Sequence, residues 1–364
     1  MSKIAFFLPS LGGGGAERAS INLAAGFLAR GVEVDFVLVR AEGKLLQAVP
    51  AGAKVVDLLS SRTLTAIFPL MSYLRQSKPY ALIAAPDHAN LIAVWARLLA
   101  GVKTRTVITT HNTLSIVVRQ RAKLQEKLYP ILLRLFQGYA THIVAVSQGA
   151  AEDLAHTAHI PRSRISVIYN PAVRTVIRNL STQSSDLSWS ADDVPFILAV
   201  GRLSPQKDYP TLLKAFARLR GTRHIRLLIL GEGEERNKLD EQIKSLGLLG
   251  QVFMPGFVKN PYALMARCRV FVLSSAWEGF SMVIAEALYC GAQVVSTDCP
   301  SGPAEILENG RYGRLVPVGD DSALANALED ALDHPMPVES LKARAAIFSV
   351  DVAVDGYLKL LGLV

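Results

Sequence analysis

Short apolar runs rich in β-branched residues, each closed by turn residues, alternate with stretches of helical period along nearly the whole chain. That alternation predicts strands buried on both faces and joined through crossover helices, hence parallel α/β sheets. In the first half strands are expected at 4–8, 34–39, 82–85, 106–109, 143–146 and 166–169. In the second half they are expected at 196–200, 226–230, 251–254, 270–273, 293–296 and 314–316. Between Pro171 and Pro195 the alternation fails, and residues 178–193 are polar and Ser-rich, which reads as a linker or surface excursion. The expected fold class is α/β, two doubly wound Rossmann-like domains facing across a cleft. The expected boundaries are 1–170 for the first domain, 171–194 for the linker and 195–345 for the second domain. A final helix within 346–364 would pack back on the first domain. In such a pair the carboxyl ends of both sheets line the cleft, and ligands bind at carboxyl ends.

A length of 364 residues, half of them hydrophobic, suits about two domains with full cores. No run of about 20 apolar residues occurs, so no spanning helix is expected. The apolar start, Met1 to Pro9, is too short for a signal sequence, and Cys268, Cys290 and Cys299 lack metal-ligand spacing. A cytoplasmic protein with reduced thiols is expected. Charge sharpens the picture. Residues 1–180 carry 21 Lys/Arg against 9 Asp/Glu, a net of +12, whereas the remainder carries 18 against 22, a net of −4. One basic lobe beside an acidic one suits an anionic surface.

Glu278-Gly-Phe-Ser-Met-Val-Ile-Ala-Glu286 is the most informative segment. A step of eight is a little over two helical turns, so Glu278 would lie in a loop and Glu286 on the third turn of a helix starting near Ser281. A ligand along the opening of that helix would meet both carboxylates and the N–H groups that favour phosphate. The plainer alternative is a solvated Glu286 with Glu278 in a surface loop. Upstream, Gly201-Arg202-Leu-Ser-Pro-Gln-Lys207-Asp208 offers two cations after a strand, suited to diphosphate charge. On their own they would be ordinary surface cations. The Gly231-containing Leu230-Gly-Glu-Gly-Glu234, and Met254-Pro-Gly-Phe257-Val258-Lys-Asn-Pro261, end further strands with backbone that can approach a ligand or a base.

In the first half, Gly12-Gly13-Gly14-Gly15 runs into a helix expected over 19–29. The G-x-G-x-x-G pattern fails in both frames, because Glu17 and Arg18 stand where its third glycine would be. A phosphate or substrate loop is favoured over nicotinamide binding, with Asp35 only weak support for the latter. A plain tight turn stays open. His111, within Thr109-Thr-His-Asn-Thr113, falls at a strand's carboxyl end among polar neighbours, and Ser147 reads as an N-cap. No Asp-x-Asp, zinc cluster, G-x-x-x-x-G-K-[ST] or G-x-S-x-G occurs. Residues 97–134 hold Arg97, Lys103, Arg105, Arg119, Arg121, Lys123, Lys127 and Arg134 against Glu126 alone, interleaved with aliphatic residues. That reads as a basic amphipathic element for an anionic leaflet, or equally as a core-packed helix with a solvated face. Nucleic acid is disfavoured, since aromatics are not interleaved and no binding motif appears.

Taken together, Gly201-Arg202…Lys207, Gly231-Glu-Gly233, Glu278-Gly-Phe-Ser…Glu286-Ala-Leu and Gly291-Ala-Gln-Val-Val-Ser-Thr resemble the retaining family-4 glycosyltransferases of the GT-B fold. The resemblance implies that Arg202 and Lys207 hold the donor diphosphate, Glu286 the ribose and Glu278 the donor sugar. Backbone of Gly279, Phe280, Ser281, Met282 and Val283 would support phosphates and sugar. Gly14, Gly15, Gly231, Phe257 and Val258 would line the donor site, and His111 would lie near the transferred sugar. It further implies a metal-free, cofactor-free transfer of a hexose or N-acetylhexosamine from a UDP-sugar to a glycan or polyprenyl-diphosphate-linked acceptor. The enzyme would sit peripherally on the inner face of the plasma membrane through residues 97–134. Asp298-Cys-Pro-Ser-Gly-Pro-Ala-Glu305 looks like the variant in transferases acting on lipid-linked oligosaccharides. Open alternatives are a sugar-nucleotide epimerase or phosphorylase on the same fold, and a non-catalytic sugar-nucleotide-binding protein.

Overall fold

In the computed structural model, which describes residues 2–120, 124–184, 194–221 and 223–364, the chain divides into two compact units. The first holds Met1–Pro171 with Val350–Val364, the second Ala172–Ser349.

The first unit is built on β1 (Lys3–Leu8), β2 (Glu33–Leu38), β3 (Lys54–Asp57), β4 (Ala81–Ala84), β5 (Arg105–Thr110), β6 (His142–Ala145) and β7 (Ile165–Val167). They pair in parallel in the order β3-β2-β1-β4-β5-β6-β7. The two-sided hydrophobicity of these strands has a direct structural counterpart. Ile4, Phe6 and Leu8 of β1 join Phe27, Phe36 and Tyr357 in the core on one face. The alternate residues Ala5 and Phe7 join Val37, Leu70 and Leu82 on the other. β3 has no counterpart among the expected strands. It is an edge strand whose residues are largely exposed, so it lacks the apolar run that marks its neighbours.

The C-terminal helix Val350–Leu361 belongs to this first unit, against the helix Gly15–Ala29. Gly26 is what permits the approach, because a Cβ there would press on Val350 and Val354 at 2.6 Å. Arg30 reaches Asp355 at 2.8 Å and Asp351 at 3.2 Å, and Tyr80 donates to the carbonyl of Leu361.

The second unit contains β8 (Phe196–Val200), β9 (Arg226–Leu230), β10 (Val252–Gly256), β11 (Val270–Leu273), β12 (Gln293–Thr297) and β13 (Arg314–Val316), all parallel. Their order is β10-β9-β8-β11-β12-β13, so the direction of winding reverses between β8 and β11. In the stretch 171–194, residues 185–193 lie outside the described residues, but Val176–Ser181 is helical and Ile177 is fully buried. Part of that polar stretch is therefore packed structure rather than a free linker.

Candidate active site

The loops that follow β8 and β11 leave adjacent strands at the point where the winding reverses, the place where open α/β sheets bind ligands. The first carries Arg202 and Lys207; the second carries Glu278 and leads into the helix Met282–Tyr289 with Glu286 on it. Lys207 Nζ donates to Glu278 Oε1 at 2.5 Å, with both side chains largely shielded from water. Ser275 Oγ donates to the same oxygen at 2.7 Å. The two loops are clamped by their backbones as well. Ser274 Oγ donates to Lys207 O at 2.7 Å, Ala276 N to Gln206 O at 2.8 Å, and Gln206 Nε2 to Trp277 O at 2.9 Å. Thr297 Oγ1 donates to Ser275 O from β12, and Glu278 N to Pro300 O. Lys207 and Glu278 are thus held by Ser274, Ser275 and Pro300 as well as by each other.

The solvated alternative for the two carboxylates is overturned. Glu278 is buried, and Glu286 is 1 % exposed with Tyr262 OH donating to its Oε1 at 3.3 Å. Burial and the nearby Glu278 carboxylate push the Tyr209 hydroxyl well above the ordinary phenol range. Burial, with Glu278 again contributing, holds the Cys299 thiol up at about 12. Cys299 is therefore a neutral thiol at physiological pH.

The two cations part company here. Lys207 is turned inward on Glu278, whereas the Arg202 side chain is 73 % exposed and bridges Glu234 at 3.1 Å. An exposed guanidinium on a flexible stem can reach an anion arriving from solvent, while the ammonium is already seated beside a carboxylate. Gly231 and Gly233 are needed for close packing. A side chain at either would collide with the backbone at Gly201 or Leu203, so the two strand-end loops lie backbone to backbone. Phe257 is exposed and Val258 half-buried after β10. Gly279 and Phe280 lead to Ser281, which stands at the N-cap position of the helix Met282–Tyr289 with φ 21° and ψ 71° and makes no side-chain cap hydrogen bond, followed by Met282 and Val283 in its first turn. Tyr262 and Ser275 stand in no motif of the sequence, and Gln206 and Thr297 lie inside the motifs 201–208 and 291–297 with no role of their own legible there.

In the first unit the glycine loop does not behave as an empty phosphate cradle. Gly14 and Gly15 are exposed at the start of the helix Gly15–Ala29, and the Glu17 carboxylate folds back onto the backbone N–H groups of Gly14 and Glu17 itself. The Glu17 carboxylate thus lies against the backbone of Gly14 at the start of this helix. Burial nevertheless raises the Glu17 pKa. Asp35 is buried in β2, accepts from Tyr73 OH at 2.7 Å and lies 3.8 Å from Lys3, so it is a structural carboxylate. Ser147 caps its helix as expected, accepting from Ala150 N at 3.1 Å.

His111 stands just beyond β5. Thr109 has one hydroxyl hydrogen, directed at Ala84 O at 2.6 Å, so the 3.1 Å contact to His111 Nε2 requires Nε2–H to donate. The imidazole is therefore the Nε2–H tautomer. Nδ1 is left as a buried acceptor with no hydrogen-bond partner among the described residues. Burial lowers the His111 pKa to about 4, which keeps the ring neutral at physiological pH. It is shaped to receive a hydroxyl hydrogen.

Within residues 97–134, Arg121 and Lys123 lie outside the described residues, as does the Lys127 side chain. The helix Leu124–Phe136 buries Tyr129 and Leu133, but Leu128, Ile131 and Leu135 are exposed on its outer face beside exposed Arg134, with Tyr139 exposed just beyond its end. The outer face is apolar as well as basic, unlike an ordinary solvated helix face. Among the described residues no helix is long and apolar enough to cross a membrane, and no cluster of three His, Cys, Asp or Glu residues could hold a metal ion.

Comparison with known proteins agrees with this architecture. The sequence model of Glycosyltransferase Family 4 matches residues 13–173, and that of Glycosyl transferases group 1 matches residues 186–347. A Campylobacter jejuni protein, N-acetylgalactosamine-N,N'-diacetylbacillosaminyl-diphospho-undecaprenol 4-alpha-N-acetylgalactosaminyltransferase, is 30% identical over 377 residues, covering 100% of both chains. The chain is a family-4 glycosyltransferase of the GT-B fold. A second glycosyltransferase of C. jejuni, the GalNAc-alpha-(1->4)-GalNAc-alpha-(1->3)-diNAcBac-PP-undecaprenol alpha-1,4-N-acetyl-D-galactosaminyltransferase, is 27% identical over 99% of this chain and 98% of its own. Among solved structures, Anabaena HepE in complex with UDP and glucose superposes with a TM-score of 0.82 at 25% identity over the whole of both chains.

Proposed function

We propose that this glycosyltransferase moves a hexose or N-acetylhexosamine from a UDP-sugar to a polyprenyl-diphosphate-linked glycan, with retention of anomeric configuration and without a metal. The observation that carries the reading is the Lys207–Glu278 pair beside the start of the helix that bears buried Glu286. HepE, solved with UDP and glucose, supports the donor class. The diphospho-undecaprenol glycans in the names of the C. jejuni relatives support the acceptor class.

In this reading Glu286, steadied by Tyr262, takes the ribose hydroxyls and Glu278 takes hydroxyls of the sugar. Arg202, Lys207 and the N–H groups at the start of the helix Met282–Tyr289 meet the diphosphate. As the C1–O bond to the diphosphate breaks, negative charge grows on the leaving oxygen and positive charge on the anomeric carbon. Two cations and a helix start stabilise the first without a divalent ion. Glu278 Oε1 already accepts from Lys207 and Ser275, which makes this carboxylate a poor nucleophile. Attack by the acceptor hydroxyl on the same face, with its proton passing to the departing phosphate oxygen, fits better than a double displacement. His111 Nδ1, a bare acceptor, would take a hydroxyl hydrogen of the transferred sugar.

Glu286→Gln should weaken free UDP as well as the UDP-sugar, because a hydrogen bond to a charged group contributes about 1.5–3 kcal/mol. Calorimetric titration with UDP checks this, and an unchanged affinity would take Glu286 out of the site.

The same reading places the first unit on an anionic leaflet, cytoplasmic side, through residues 97–134. The exposed Leu128, Ile131 and Leu135 would enter the interface while Arg119 and Arg134 meet headgroups. Each cation near such a surface contributes about 1 kcal/mol. Sedimentation with vesicles containing anionic lipid should fall steeply with added salt, and should weaken when Arg119, Arg121, Lys123 and Lys127 are neutralised together. Equal sedimentation with neutral vesicles would reduce this element to ordinary packing.

A further inference from the structure

Leu59, Leu64 and Phe68 are 84 %, 62 % and 70 % exposed, all in the short segment that leads from β3 into the helix Ile67–Ser77. The segment is pinned to the sheet. Leu58 N donates to Leu38 O at 2.8 Å and Ser60 N to Val39 O at 3.0 Å, and both residues are buried. Between these anchors Leu59 has φ 49°, a region that disfavours a side chain, with its N–H held by Asp57 Oδ1 at 2.9 Å. Thr65 Oγ1 donates to Arg62 O at 2.8 Å and closes the following turn. The helix then buries Leu70 and Leu74 and leaves Phe68 in water. A braced, strained turn thus holds a leucine outward beside two more large apolar side chains, and none of the three adds to the core.

The charge around this tip says what covers it. From Leu58 to Pro86 the chain carries Arg62, Arg75 and Lys78, all exposed, and no acidic residue. Three side chains fall well short of the about 800 Å² per partner that a stable protein interface takes. They suit shallow insertion among anionic headgroups, where cations add to a small apolar area. Position agrees. Every strand of this parallel sheet ends on the same edge, and β3 lies four strand spacings from β5. At about 4.8 Å each, the tip stands about 19 Å along that edge from His111. The helix Leu124–Phe136 lies elsewhere, against the helices Asp87–Ala100 and Gln148–Ala158.

We propose that Leu59, Leu64 and Phe68 form a second membrane contact of the first unit, inserting into the anionic leaflet beside Arg62. The proposal rests on the lipid-linked acceptor reading above and adds to it an orientation. One attachment along residues 97–134 would let the unit pivot on the leaflet. A second at the carboxyl edge of the sheet turns that edge to the surface, so that the diphosphate of the acceptor emerges where the strand ends can receive its glycan.

The test is sedimentation of the full chain with vesicles of phosphatidylglycerol and phosphatidylcholine in equal parts, comparing wild type with the triple variant Leu59→Ser/Leu64→Ser/Phe68→Ser. The variant should unfold thermally like wild type, since all three side chains face water, and should bind about tenfold more weakly. That factor should persist in high salt, whereas the effect of neutralising the cations of 97–134 should fade. Phe68→Trp should gain tryptophan emission that brominated phosphatidylcholine in the same vesicles quenches. Transfer to an acceptor embedded in vesicles should fall by more than transfer to a short-chain acceptor in solution. Wild-type binding with the triple variant unchanged, or a Phe68→Trp signal that brominated lipid leaves alone, would overturn this contact and leave the reading of 97–134 standing. A wild-type dimer that the triple variant splits into monomers would give the tip to a second copy and overturn it too. Absence of wild-type binding in low salt would instead remove the membrane reading itself, and this inference with it.

Discussion

Replacing Lys207 by alanine should both destabilise the protein and nearly stop transfer. Glu278 is buried, and removing its ammonium partner leaves a carboxylate shielded from water with only Ser275 to answer it. Breaking a buried pair from one side costs about 3–5 kcal/mol. Lys207→Ala/Glu278→Gln removes charge from both sides and should recover most of the stability. It should recover none of the turnover, which removal of one group facing the leaving charge lowers by about 10²–10³. Arg202→Ala offers the contrast. Its exposed side chain leaves stability within about 0.5 kcal/mol of wild type, yet turnover should fall by more than donor affinity does. Chemical denaturation and steady-state kinetics on the four proteins decide the matter. Matching stability of Lys207→Ala and wild type would mean that the pair is not the buried unit described.

A second large effect should appear on acidification. His111 has a folded pKa of about 4 through burial, against about 6.5 for the unfolded chain. Between those values the unfolded state binds the extra proton, so stability falls as pH drops through the window and is unaffected above it. The sum over 2.5 units is about 3 kcal/mol. In His111→Asn this component vanishes, and the gap between wild type and variant should narrow or invert as pH falls from 7 to 4.5. Parallel denaturation curves at every pH would mean that the imidazole is not held neutral by burial. The same neutrality predicts a pH–rate profile with no histidine inflection near 6.5.

The fold was written plainly where burial is two-sided, because a strand covered on both faces can only be apolar. β1, β8 and β11 show this, and the Glu278–Glu286 spacing fixed the helix start to within one residue. β3 escaped because an exposed edge strand needs no apolar run, and the helix Val176–Ser181 escaped inside a Ser-rich stretch whose few apolar residues carry its packing. At the site the sequence offered Arg202 and Lys207 as equals. What separates them is tertiary: one faces water and Glu234, the other a buried carboxylate from a loop 71 residues further on. The glycine loop reads as suited to phosphate or substrate, and nothing in its sequence signals that the Glu17 carboxylate folds back onto it.

The central claim is transfer from a UDP-sugar to a polyprenyl-diphosphate-linked glycan with retention. The most direct measurement is the purified protein with UDP-sugar and a synthetic short-chain polyprenyl-diphosphate saccharide, in the presence of chelator, followed by mass spectrometry of the lipid and NMR of the new linkage. UDP release is expected in step with extension of the lipid by one hexose or N-acetylhexosamine unit, in the same anomeric configuration as the donor. A product of inverted configuration, transfer that needs an added divalent metal, or conversion of the sugar nucleotide with the lipid left unextended would contradict it.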